Sequence, residues 1–129
     1  MIKALRLKNY RNLEFLNDLE LSSLNIFVGA NGCGKSNVVK VLKFLQEALT
    51  VQSGSTSFNY ALRGFGYGNI SQFQVEKPCL VDIRIHLQIH PDYVHGYQLG
   101  LNVFDPNTVA INYEKLSRWS STRTQPADP

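Results

Sequence analysis

The stretch Leu24 to Ser36, LNIFVGANGCGKS, constrains this chain more than any other. A nearly continuous apolar run, Leu24 to Val28, stops at Gly29. Such a run suits a central strand covered on both faces. From about Lys35 to Leu49 the apolar residues recur at helical spacing. Val38, Val41, Leu42, Leu45 and Leu49 share one face, with Lys40, Lys43 and Glu47 off it. The sequence therefore predicts a buried strand turned directly into an amphipathic helix through a glycine-rich loop.

That loop is Gly29-Ala30-Asn31-Gly32-Cys33-Gly34-Lys35-Ser36, which matches G-x-x-x-x-G-K-[ST] at every fixed position. Glycines let the backbone turn sharply and bring successive N–H groups against anionic oxygens. The helix N-terminus adds unpaired N–H groups and the positive end of its dipole. Lys35 supplies a point charge for β- and γ-phosphates, and Ser36 a hydroxyl for Mg²⁺. These residues imply a nucleoside triphosphate site with Mg-ATP as the default ligand. A glycine-rich turn beside a surface lysine would not call for Lys35-Ser36 directly after the last glycine. Cys33 contributes mainly its backbone N–H, and its side chain is expected as a small group tolerated in the loop; the alternative is a thiol that alkylating reagents would attack beside bound phosphates.

The 129 residues fit one domain, with 43% hydrophobic residues for a core. Ile2–Lys8 and Leu13–Leu21 flank the turn residues Asn9–Asn12 and read as a hairpin. Residues 1–49 thus hold the hairpin, the loop strand and the helix. Residues 50–78 are rich in Ser and Gly and read as a long loop. From Cys79 the period changes to two. Val81, Ile83, Ile85, Leu87 and Ile89 share one face, and Asp82, Arg84, His86, Gln88 and His90 the other. Strands at Gly96–Phe104 and Thr108–Leu116 complete a three-stranded antiparallel meander over 79–116. Residues 117–129 lose periodicity and read as a disordered tail, leaving Trp119 without a partner. The fold class expected is α/β: a central strand, phosphate loop and helix, with the meander as a subdomain.

Cys33 and Cys79 have no metal-type spacing, and a disulfide at Cys33 would distort the loop, so both are expected as free thiols in a reducing compartment. The N-terminus lacks the apolar core of a signal peptide, and no run of about 18 apolar residues offers a membrane span. A cytoplasmic location is the expectation. The net charge of +3 admits a polyanionic partner without demanding one. Lys3, Arg6, Lys8 and Arg11 cluster near the N-terminus with Tyr10 among them, a mixture a nucleic-acid groove would use, but without a recognition motif the expectation is a solvated face. His86 and His90 lie roughly 13 Å apart at strand rise, too far to share one metal ion.

The runs IKALRLKNYRNLE and LNIFVGANGCGKSNVVKVLKFL, with ALRG at Ala61–Gly64, resemble the opening of the ABC-type AAA-family ATPases. That group includes the structural-maintenance-of-chromosomes, RecF-type and OLD-type proteins and a set of predicted ATPases, the last being the most similar. The resemblance covers most of residues 1–116, with its specific motifs in the first 49. It implies a P-loop NTPase (ABC-ATPase-like) N-terminal lobe. It also implies Arg11 near the nucleotide, Asn37 where the family contacts the α-phosphate, Gln72 or Gln74 as a metal-contacting glutamine, and hydrolysis between two head-to-tail protomers. Such a homodimer would serve DNA repair or phage defence.

The family also needs an Asp-Glu Walker B pair, a Ser-Gly-Gly signature and a switch histidine. Leu80-Val81-Asp82 is the nearest approach, but Ile83 follows where Glu should stand. The chain is therefore expected to bind ATP and to require a missing C-terminal lobe for turnover. Two other readings remain open: a non-enzymatic nucleotide-responsive module that binds DNA or protein, and a small P-loop phosphotransferase. The meander argues against the latter, which would alternate parallel strands with helices.

Overall fold

The computed structural model describes residues 1–50, 58, 61–62, 64, 70–71, 76–105 and 108–122. Six elements follow one another among them: β1 (Ile2–Tyr10), β2 (Leu13–Glu20), α1 (Lys35–Leu49), β3 (Cys79–His90), β4 (Tyr93–Asp105) and β5 (Thr108–Ser120). The strands form one sheet in the order β2-β1-β3-β4-β5, and every pairing is antiparallel. The helix covers one face of it.

The α/β expectation is overturned. Leu24–Val28 pairs with no strand among the described residues and runs as exposed, irregular backbone. Leu24, Ile26 and Val28 are 76, 78 and 89% exposed, so the run is not a covered strand. A buried parallel strand needs neighbours on both edges and helices on both faces. The described strands pair only with hairpin neighbours and across β1–β3, and this run joins none of them, so it has neither.

The core lies between α1 and the sheet. Leu5 and Leu7 of β1, Val81, Ile83 and Ile85 of β3, and Tyr97, Leu99, Leu101 and Val103 of β4 all point into it. From the helix come Val38, Val41, Phe44 and Leu45. Phe44 lies off the apolar stripe read from the sequence yet is fully buried, while Leu49 on that stripe is 54% exposed. Aromatic bulk anchors the helix here; removing a buried Phe costs about 3–5 kcal/mol.

The meander reads from period two, with longer strands than the turn residues suggested. β5 continues past Leu116 to Ser120, through the start of the expected tail. Trp119 pairs with Val94, and its ring meets that of His86 edge-on with centroids 5.1 Å apart. Gly96 makes this possible, since a Cβ there would come within 2.9 Å of the indole. Burial holds the His86 imidazole below its ordinary pKa, with Arg6 and Arg84 adding to the effect and Asp18 opposing it. Residues 123–129 of the expected tail, and most of 50–78, lie outside the described residues.

Candidate phosphate-binding loop

Gly29–Gly34 leads into α1 through a tight turn, with φ of 83° at Gly32 and 98° at Gly34. Both angles disfavour any side chain. Gly34 is the N-cap of α1 and is packed as well as twisted: a Cβ there would stand 2.5 Å from Leu13 Cδ2. The hairpin thus sits directly behind the helix start.

The helix start has no stabilising device of its own. Gly34 offers no side-chain cap, and the first turn contains no acidic residue. Lys35, at the first helical position, opposes the helix dipole. Glycine at the N-cap forgoes only about a few tenths of a kcal/mol relative to Ser, Asp or Asn, but it leaves the first N–H groups without a side-chain acceptor. Unpaired N–H groups and a cation in one place make a local demand for negative charge.

Lys35 Nζ donates to the Gly29 carbonyl at 2.7 Å and to the Ala30 carbonyl at 2.5 Å, and lies 3.6 Å from Cys33 Sγ. The ammonium therefore ties the loop's entry to its exit. A cleft of about 270 Å³ opens beside it, walled by Asn12, Asn31, Lys35, Ser36, Asn37 and Lys40. Gly32 and Gly34 form its floor. No acidic side chain among the described residues lines it.

Asn12 and Lys40 had no assigned role in the sequence. Asn12 Nδ2 donates to the Gly32 carbonyl, and Asn37 Nδ2 donates to Asn12 Oδ1. One hairpin side chain thereby clamps the loop to the first turn of α1. Lys40 stands one helical turn after Ser36, on the same face, so the (i, i+4) spacing could have found it. No local signal could have found Asn12.

The structure does not bring Arg11 to the wall of this cleft. Its guanidinium lies over the Tyr10 ring, 5.8 Å from the centroid, and its backbone N–H donates to the Ile70 carbonyl at 3.0 Å. Tyr10, which stands among the basic cluster in sequence, is fully buried, and burial raises its pKa. Arg6 is engaged by Asp18 through two hydrogen bonds of 3.1 and 2.6 Å, which hold that carboxyl below the usual range. Gln72 and Gln74 lie outside the described residues.

Asp82 faces away from α1 and is only 8% exposed. It accepts from Arg84 Nε at 3.2 Å, from Gln98 Nε2 at 2.9 Å and from the Tyr113 hydroxyl. Its strand pairs antiparallel on both sides, as a Walker B strand would not. This carboxylate organises the outer face of the sheet.

A family model described as AAA ATPase domain matches residues 1–107. The chain belongs to this AAA ATPase family. The resemblance read from the K-N-Y-R turn and the GKSN ending of the loop is thereby borne out. The chain is also similar to the DNA replication and repair protein RecF of Lactococcus lactis subsp. lactis (strain IL1403), at 33% identity over 90 residues. That match covers 70% of this chain and 24% of the relative, so the chain spans about a quarter of the RecF protein's length. Family membership makes this an ATPase-type domain and makes ATP its expected nucleotide. Among the described residues no helix is long and apolar enough to cross a membrane.

Proposed function

We propose that residues 29–36 bind the phosphates of Mg-ATP. One observation carries this: an uncapped helix N-terminus, entered through positive-φ glycines, lies beside an ammonium and a polar cleft with no acid on its wall among the described residues. Backbone N–H groups from Gly32 to Ser36 would meet the phosphate oxygens. Lys35 would share its ammonium between the loop carbonyls and the terminal phosphates. The exposed Ser36 hydroxyl would contact Mg²⁺, and Asn37, held by Asn12, would flank the α-phosphate. Lys40 adds charge at the cleft rim. Arg11 has no part in this reading.

Among the described residues the cleft wall carries no carboxylate or histidine to orient or deprotonate water, so positioning is what those residues contribute. Turnover would draw its carboxylates from a further lobe, across a head-to-tail pair of protomers. The exposed run Leu24–Val28 is an apolar surface on which such a lobe would rest. The RecF relative supports DNA repair as the parent protein's setting. Two free thiols, one exposed in the loop, fit a reducing cytoplasm. The reading of a nucleotide-responsive module without turnover is favoured, for this chain alone, by a cleft wall with no acid among the described residues.

Calorimetric titration of Mg-ATP, with phosphate release followed in parallel, tests the proposal. Binding is expected in the wild type and its loss in Lys35→Ala, with no release in either. No binding by a folded wild-type chain would refute the site. Lysine-dependent release would refute the need for a further lobe.

A further inference from the structure

The outer edge of β5 meets no strand of the described chain. β5 is 13 residues long, contains no proline, and its register shifts against β4 all lie before Tyr113. A long, regular edge of unpaired N–H and C=O groups is a template for another strand. What sits on it narrows the choice of strand.

Glu114, Leu116 and Arg118 lie opposite Leu99, Tyr97 and His95, and so share the face covered by α1. Leu116 is 81% exposed. It stands at the open end of an apolar groove of about 430 Å³, walled by Leu42, Leu49 and Leu87. The charges beside it are held by β4 aromatics. Tyr97 Oη donates to Glu114 Oε1 at 2.9 Å, and the Arg118 guanidinium lies 5.0 Å from the Tyr93 ring centroid. The face thus reads acid, leucine, base at every second residue.

That order is complementary to itself when reversed. With a two-fold axis through Leu116, Leu116 faces Leu116 of a second copy. Glu114 faces Arg118 of that copy, and Arg118 faces its Glu114. On the other face Tyr113 meets Trp119, and Lys115 meets Ser117. Axes at Glu114, Lys115 or Arg118 each set like charges opposite one another, which destabilises a strand pair. An axis at Ser117 sets Leu116 against Arg118.

We propose that β5 pairs antiparallel with β5 of a second copy of this chain, joining two five-stranded sheets across a two-fold axis at Leu116. The contact covers both exposed leucines, makes the two apolar grooves continuous and closes the sheet's open edge. It is distinct from the head-to-tail pairing around nucleotide proposed above. It involves no loop residue and forms without ATP, so either can fail alone.

Sedimentation equilibrium of the nucleotide-free chain provides the test. A concentration-dependent dimer is expected. Glu114→Arg should weaken it about tenfold, by turning two ion pairs into two repulsions. Adding Arg118→Glu in the same chain should restore it, with circular dichroism confirming the fold of each variant. The register is read separately in a Cys33→Ser background. Directly opposed Cβ atoms approach closely enough for a disulfide. Leu116→Cys should therefore crosslink two copies under mild oxidation, while Lys115→Cys should not. A folded chain that stays monomeric at every concentration would overturn the proposal and leave the edge to a strand of different sequence. So would a dimer indifferent to both charge reversals, or a crosslink at Lys115→Cys alone.

Discussion

Gly32 and Gly34 have similar backbone angles and different surroundings, so alanine at each separates conformation from contact. At Gly32, φ is 83° and no atom lies within 4 Å of an added Cβ. Gly32→Ala should cost only the left-handed penalty, about 1 kcal/mol. At Gly34, φ is 98° and the new Cβ would stand 2.5 Å from Leu13 Cδ2 and 3.3 Å from Asn12 Oδ1. Carbon atoms prefer roughly 3.5–4.0 Å. Overpacking of this kind adds about 1–3 kcal/mol, so Gly34→Ala should cost about 2–4 kcal/mol in all. For a domain of this size each kcal/mol moves Tm by about 4 °C. The expected drops are therefore about 4 °C for Gly32→Ala and about 8–16 °C for Gly34→Ala, read by circular dichroism melts. Leu13→Ala should cost less in the Gly34→Ala background than in the wild type, because it relieves the clash. Equal shifts at the two glycines, or strictly additive effects of Leu13→Ala, would refute the packing argument.

Two further outcomes follow from single side chains. Cys33 is exposed in the loop and Cys79 is buried, so a maleimide should label Cys33 first. Saturating Mg-ATP should slow that labelling in the wild type and not in Lys35→Ala; an unchanged rate with nucleotide would count against phosphates occupying the loop. Burial first, and then the hydrogen bond to Asp82, push the Tyr113 phenol from 10.0 up to about 12. Its folded pKa is the higher one, so its contribution to stability is whole below about pH 10 and is lost as pH rises toward 12. Tyr113→Phe should flatten the fall in stability over that window, measured by denaturant titration at each pH. An identical alkaline profile in the variant would remove Tyr113 from the account.

The sequence by itself determined what depends on neighbours along the chain. Glycines where φ must be positive, a lysine and serine after them, and a 3.6-residue period beyond are all local, and the loop and α1 follow from them. The alternation from Cys79 onward likewise specifies β3 and the face it buries, because successive side chains in a strand must point to opposite sides. The family was legible for the same reason, since its signature lies in contiguous residues.

Tertiary structure alone decided who meets whom. Leu24–Val28 carries the pattern of a buried strand, yet an apolar pattern records a capacity for burial and names no partner; the sheet passes it by. Asp82 looked like an exposed polar position, and Arg84, Gln98 and Tyr113 make it a buried junction. Phe44 entered the core off the expected stripe, where its ring meets that of Phe58 edge-on with centroids 6.4 Å apart. Asn12 became the clamp of the loop from 20 positions away in sequence, a contact created only when the hairpin packs behind the helix. Period and propensity are properties of a segment, whereas pairing and burial are free energies of the whole chain. The loop, the helix and the meander could therefore be read from their residues, and the place of Leu24–Val28 outside the sheet could not.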